Sequence, residues 1–121
     1  MGRAQQIFTF PRLAEVTYPA GHPFRPERAE LLVEILESVG QLDDRRDLVS
    51  AAPAARDELE RFHEPEYLDA LERAERGQFD FTMLAAGLGG DDCPVFPGVF
   101  ELAQTAAGAT LAPARALLAG R

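Results

Sequence analysis

Besides twenty carboxylates, this 121-residue chain has three side chains of the types that catalytic zinc sites use: His22, His63 and Cys93. Such a site takes about three protein ligands and leaves one position open for water. No two of the three stand at a local ligand spacing such as H-x₃₋₅-H or C-x₂-C. The sequence therefore predicts no metal site built from this chain alone. His22, between Gly21 and Pro23, is expected to fix a turn, and His63 to cap or pack against the helix after it.

Nucleophilic catalysis and phosphate binding find little support in the sequence. Cys93 directly follows Asp91 and Asp92, whose negative charge disfavours the thiolate that a reactive cysteine needs. All twelve basic residues are arginine, so the chain offers no lysine for a Schiff base or a phosphate-binding loop. The glycine-rich segment 87–90 leads into the same two aspartates, which would repel a phosphate.

Arg28 shares a predicted helix face with apolar side chains: Leu31, Leu32, Ile35 and Val39. Burying an unpaired guanidinium costs a great deal of free energy. Arg28 either reaches past the helix end to solvent or to an internal carboxylate, or faces an internal polar cavity where it could hold a carboxylate product.

Residues 89–94 (Gly-Gly-Asp-Asp-Cys-Pro) present two adjacent carboxylates on a turn. The glycines permit unusual backbone angles and Pro94 stiffens the exit. One interpretation is a solvated acidic loop. The other is a carboxylate, at Asp92, that accepts charge-assisted hydrogen bonds from a ligand's backbone N–H groups.

These residues must be positioned by a mostly helical chain. Residues 6–10 predict a short buried strand that Pro11 ends, and residues 12–25 a loop constrained by prolines and a glycine. A helix should begin at Pro26 and stop at Gly40. Beyond a connector at 41–56, we expect helices at 57–63, 65–77 and 98–120, with mostly irregular chain at 78–98.

The last of these helices carries two further predictions. Small residues around Gly108 would let another element approach closely, and Pro113 should kink or restart the helix. One helical face is marked by apolar residues three or four positions apart, namely Phe100, Ala103, Ala107, Leu111, Ala114 and Leu118.

A single strand cannot pair its own backbone groups in a buried position. Because parallel strands are joined by crossover connections, either the strand prediction is wrong or its partners lie beyond Arg121. We favour partners beyond Arg121.

Composition and charge exclude several classes of function. Twenty acidic residues against twelve basic ones give a formal charge of −8, which argues against nucleic-acid or anionic-membrane partners. The single cysteine and the lack of a secretory signal fit a reducing cytoplasm. We expect a soluble cytoplasmic chain that forms one domain or a piece of one.

Three segments resemble the histone deacetylase superfamily. Residues 21–28 (GHPFRPER) are similar to its GHPxxPxR segment, residues 59–68 (LERFHEPEYL) to its FHxxEY helix start, and residues 92–101 (DCPVFPGVFE) to its DCPvFxG loop and helix. The order and spacing also match, most of all the pattern of bacterial deacetylases of the acetoin-utilisation type.

The resemblance implies an α/β, arginase/deacetylase-like three-layer fold with a parallel sheet, and zinc-dependent hydrolysis of N-acetyl-lysine to lysine and acetate. Asp92 falls on the rim aspartate that holds the substrate's backbone amides. Arg28 falls on the arginine beside the acetate channel. Arg25 falls where eukaryotic relatives bind inositol phosphate, and here we expect only a surface charge.

The family's tandem histidines, its zinc ligands and its catalytic tyrosine come after the region matched here. Residues 1–121 are therefore expected to be the N-terminal portion of such a domain, with no catalytic residue and no bound zinc of their own, and inactive in isolation. The expected partners are the remainder of the catalytic domain and, in the complete enzyme, acetylated lysine. Two alternatives remain: part of an acetylpolyamine amidohydrolase, or a stand-alone helical interaction module.

Overall fold

The computed structural model describes the backbone of residues 7–9 and the whole of residues 18–43 and 48–120. In chain order the elements are β1 (Ile7–Thr9), α1 (Arg28–Ser38), β2 (Leu48–Ser50), α2 (Arg56–Leu59), α3 (Pro65–Glu75), α4 (Phe81–Ala85) and α5 (Val99–Leu118). The described part of the chain is thus mostly helical, as predicted, with two short strands. Outside the described part lie the first and last residues of the predicted strand (6 and 10), Pro11, and residues 12–17 of the predicted loop.

β1 and β2 form a parallel pair, with Ile7 opposite Leu48 and Thr9 opposite Ser50. The prediction that the partners of β1 lie beyond Arg121 is wrong for this pair, because β2 lies in the segment predicted as a connector. β2 closely follows a charged stretch and is only three residues long. A strand this short shows no visible alternation of apolar and polar residues. The crossover between the two strands contains α1, as a parallel pairing requires.

α1 confirms the predicted helix, although it begins at Arg28 and leaves Pro26 in the preceding turn. At its end Gly40 adopts a φ of 71°; its N–H donates to Glu37 O, and that of Gln41 to Leu36 O. This Schellman arrangement satisfies carbonyls that would otherwise lack partners. No α1 residue is buried, and the exposed fraction of the side chains on its apolar stripe is 50–61% (Leu31, Leu32, Ile35 and Val39).

The hydrophobic core is formed by residues of α3, of α4 and of the turn after α4. Ala70, Leu71 and Ala74 of α3 pack with Met83 and Leu88, and all five are buried. α3 confirms the predicted helix at 65–77, whereas α2 covers only part of the one predicted at 57–63. α4 was not predicted.

Arg56 joins α2 to α3. Its guanidinium contacts Glu60 at 2.7 Å, Asp69 at 2.7 Å and Glu72 at 3.3 Å, and donates to Pro65 O at 3.0 Å. Since the guanidinium is always charged and has five donors, it satisfies several acceptors at once and fixes the turn that leads into α3.

α5 confirms the helix predicted at 98–120 and continues through Pro113. The predicted helical face is confirmed only in part. Phe100 packs against the core and Ala107 and Leu111 are half-buried, whereas the other three residues of that face are exposed (Ala103, Ala114 and Leu118). Leu102 and Gly108 are the buried residues of the helix. The predicted close approach at Gly108 is confirmed, because a Cβ there would lie 1.9 Å from Ala52 O. This approach decides which face of the helix turns inward.

Loop 51–55 is also hydrogen-bonded to α5. The N–H of Ala54 donates to Gln104 O at 2.8 Å, and Gln104 Nε2 donates to Ala54 O at 3.2 Å. Among the described residues, no helix is long and apolar enough to cross a membrane.

Asp80 caps α4 and carries a testable pH dependence. Its carboxylate accepts from the N–H groups of Thr82 and Met83 and contacts Arg73 at 2.7 Å. The Thr82 hydrogen bond, followed by the Arg73 contact, lowers the pKa of Asp80. Because the pKa of Asp80 is lower in the folded state, its carboxylate stabilises the fold at pH values above the ordinary aspartate pKa of about 3.9. This stabilisation is lost as the pH falls through the lower folded pKa.

Asp80→Asn should keep the cap, since its amide oxygen can still accept, but lose the charge. We expect the variant to have a lower melting temperature at pH 7 and a smaller further drop than wild type between pH 5 and 3. Thermal melts across this range test it. Identical pH profiles for the two proteins would contradict the assignment.

Candidate functional site

Two loops that the sequence singled out meet at one pocket. Residues 19–23 form one wall, residues 89–92 with Pro94 and Val95 form the other, and Phe79 completes the lining. The pocket has a volume of about 560 Å³, within the range of small-molecule sites. We call it the rim pocket.

The first loop is held by local hydrogen bonds. Gly21 adopts a φ of 85°, and the N–H of His22 donates to Pro19 O at 3.1 Å. His22 Nδ1 in turn accepts from the N–H of Phe24 at 3.1 Å. The prediction that His22 fixes a turn is confirmed.

Tyr18 joins this loop to the second one. Its ring centroid lies 4.8 Å from those of His22, Phe24 and Phe96, a spacing typical of favourable aromatic pairs. Burial raises the pKa of the Tyr18 hydroxyl, and the nearby Cys93 adds to the effect. The sequence analysis missed Tyr18, although its place three residues before a Gly-His-Pro turn is a signal that could have found it.

The second loop presents the two carboxylates. The N–H of Gly89, at a φ of 88°, donates to Cys93 O at 2.9 Å and closes the loop. Asp91 and Asp92 both line the rim pocket, both are exposed, and neither forms an ion pair with a described arginine. Their oxygens can therefore accept hydrogen bonds from a ligand.

Glu75 anchors the segment that follows this loop. Its Oε2 accepts from the N–H of Phe100 at 2.7 Å, in the first turn of α5. The first N–H groups of a helix have no partner within the helix, so a carboxylate from α3 satisfies one of them. The sequence analysis missed this contact, because nothing local links two residues 25 positions apart.

Arg28 lies elsewhere. It is exposed in the first turn of α1 and lines an open groove of about 500 Å³ with Arg25, Glu27, Glu30, Leu31 and Glu34. Arg28 and Asp92 therefore line different depressions. The Arg28 side chain is thus exposed among the described residues, and its place beside an acetate channel stays a prediction.

The described residues do not fit a zinc ion. Only His22 of the three candidate ligands lines the rim pocket, Cys93 is exposed, and His63 stacks on Tyr67 at 5.5 Å. The packing of His63 against α3 is as predicted. Within the described part of the chain, no three His, Cys, Asp or Glu side chains are grouped so that they could hold a metal.

The rim pocket can thus bind through acceptors and an aromatic wall, whereas the described residues lining it contain no cysteine, serine or lysine to act as a nucleophile. The scaffold is an α/β fold of the arginase/deacetylase-like type. An HDAC homologue from Aquifex aeolicus superposes with a TM-score of 0.79 and 28% identity over 96% of this chain and 31% of its own. An HDAC homologue complexed with SAHA gives a TM-score of 0.79, 28% identity, and coverage of 98% and 32%.

The chain belongs to the histone deacetylase family: the family model described as histone deacetylase domain matches residues 22–121. Histone deacetylase RPD3 of Saccharomyces cerevisiae is 32% identical over 86% of this chain and 24% of its own length. Acetoin utilization protein AcuC of Bacillus subtilis is 33% identical over 83% of this chain and 26% of its own. The chain therefore spans about a quarter of the length of these curated relatives.

Proposed function

We propose that residues 1–121 are the N-terminal portion of a zinc-dependent deacetylase domain that hydrolyses N-acetyl-lysine to lysine and acetate. The observation that carries the proposal is the rim pocket, in which the loop holding His22 and the loop holding Asp92 lie side by side. These loops belong to two of the three segments that resemble the family.

Asp92 holds the backbone of the substrate. Its carboxylate is exposed in the pocket and makes no ion pair with a described residue, so it is available to accept from two peptide N–H groups. Hydrogen bonds to a charged acceptor are shorter and stronger than those between neutral groups. An acetyl-lysine inserted from this side would be oriented by its own main chain.

Arg28 serves the acetate product. No described carboxylate forms an ion pair with its guanidinium, and a planar guanidinium matches a carboxylate through two parallel hydrogen bonds. In the proposed domain, further segments enclose the groove beside α1 and turn it into the channel that acetate leaves through. Arg25, which also lines this groove and is exposed, is a surface charge.

Two features support an incomplete domain. The apolar stripe of α1 is half exposed, and the sheet has only two strands among the described residues. A stand-alone helical module would bury such a stripe, because exposed apolar surface of this kind favours association. The zinc ligands and the acid–base residues are expected from the remainder of the domain. A cytoplasmic location, without nucleic-acid or membrane partners, stays a prediction.

The proposal is tested by assaying the isolated 121-residue chain and the complete domain, each with added zinc, on an acetyl-lysine peptide. We expect turnover by the complete domain that a chelator abolishes, and none by the isolated chain, because it lacks the groups that activate water. An acetylated polyamine serves as the second substrate. Turnover by the isolated chain would contradict the proposal that the catalytic groups come from the remainder of the domain. A strong preference for the polyamine would favour the amidohydrolase alternative.

A further inference from the structure

One wall of the rim pocket has no role in the proposed function. Phe79 lies outside the three family-like segments, is 63% exposed and lines the pocket together with Asp91 and Asp92. Its Cε1 lies 4.0 Å from the position that a Cβ on Gly89 would take. The ring therefore stands against the backbone of the acidic loop and leaves most of its surface open.

The position of Phe79 is held on both sides along the chain. Before it, α3 ends in hydrogen bonds from Gly77 N–H to Ala74 O and from Gln78 N–H to Arg73 O, each 2.9 Å long. After it, Asp80 caps α4 and contacts Arg73 at 2.7 Å. A ring between two anchored residues loses little conformational freedom when a ligand binds.

The charged side chains that line the rim pocket are acidic. The ionisable side chains that line the rim pocket are Asp91, Asp92 and His22, and no arginine is among its lining residues. A cation is attracted both to the face of an aromatic ring and to a carboxylate. An acidic side chain at the same place would meet two like charges.

We infer that Phe79 and Asp91 are specificity-determining residues, which select an arginine or lysine next to the acetyl-lysine of the substrate. This inference rests on the proposed function: Asp92 holds the main chain at the rim, and the neighbouring side chain then lies against Phe79 and Asp91. The pocket, at about 560 Å³, has room for more than one side chain.

The test compares kcat/KM of the complete domain on three acetyl-lysine peptides that differ in one residue beside the acetyl-lysine: arginine, alanine or glutamate, placed before it and then after it. At low salt we expect arginine to exceed glutamate by about five- to ten-fold at one of the two positions, the effect of one exposed cation–π contact and one exposed ion pair. The preference should shrink at high salt.

Phe79→Ala and Asp91→Asn should each reduce this preference to about two- or three-fold. Phe79→Leu, which keeps an apolar side chain without a π face, should resemble Phe79→Ala. Phe81→Ala is the matched control, because Phe81 is 89% exposed and does not line the pocket. It should keep the full preference.

The outcomes separate the two proposals. Equal rates on the three peptides, or a preference that survives both Phe79→Ala and Asp91→Asn, would overturn this inference and leave the deacetylase function standing. No turnover of any acetyl-lysine peptide would contradict the proposed function and this inference with it.

Discussion

Asp92→Ala in the complete domain is expected to weaken transition-state binding of an acetyl-lysine peptide by about 1.5–3 kcal/mol, a loss of roughly 10- to 150-fold in kcat/KM. The carboxylate lies exposed in the rim pocket without an ion-pair partner among the described residues. Its removal therefore leaves the peptide N–H groups without their acceptor and breaks no described contact of the fold.

The substrate offers the sharpest control for this experiment. A small acetylated amine that lacks peptide N–H groups has nothing for Asp92 to hold, so the substitution should change its turnover much less. Asp57→Ala, at an exposed residue on α2, should leave both substrates unaffected. An unchanged kcat/KM for the peptide in Asp92→Ala, or equal losses for both substrates, would reject the assignment of Asp92 to the substrate backbone.

Gly108→Ala is expected to lower the free energy of unfolding of the complete domain by about 2 kcal/mol. A methyl group there would lie 1.9 Å from Ala52 O and 2.9 Å from Ala54 N. Both are backbone atoms, so loop 51–55 would have to move and give up its hydrogen bonds to Gln104. Because backbone atoms cannot rotate out of a 1.9 Å contact, the overpacking cost should lie at the upper end of about 1–3 kcal/mol, and the better helix propensity of alanine returns only about 1 kcal/mol.

The sign of the effect makes this prediction easy to contradict. In an exposed helix the same change stabilises, and the reverse substitution Ala106→Gly, at an exposed residue of α5, should cost about 1 kcal/mol through propensity alone. Urea unfolding of the two variants and wild type separates the contributions. A Gly108→Ala domain as stable as wild type would show that α5 does not rest on loop 51–55.

Much of the local structure could be predicted from neighbouring residues. Pro65 begins α3 as its first helical residue, and Gly40 takes the positive φ that ends α1. The turn at His22 and the acidic loop at Asp92 were likewise predicted from residues a few positions apart. Their motifs were sufficient to indicate the family to which the chain belongs.

Predictions that depended on distant residues fared less well. β2 was read as connector, because three residues become a strand only beside β1. The inward face of α5 was predicted only in part from apolar spacing: Phe100 packs against the core as that face requires, but the buried contact with Ala52 is made by Gly108, which lies outside it.

The amino-acid sequence by itself determined the existence of α1, α3 and α5, the tight turns and the two family-like loops of the rim pocket, since backbone preferences, proline and glycine act within a few residues. Only the tertiary structure decided that Tyr18 contacts Phe96, that Glu75 accepts from Phe100 N–H, and that Phe79 stands beside Gly89. Such contacts join residues that are far apart along the chain. They arise from the packing of whole elements, which no local pattern of residues encodes.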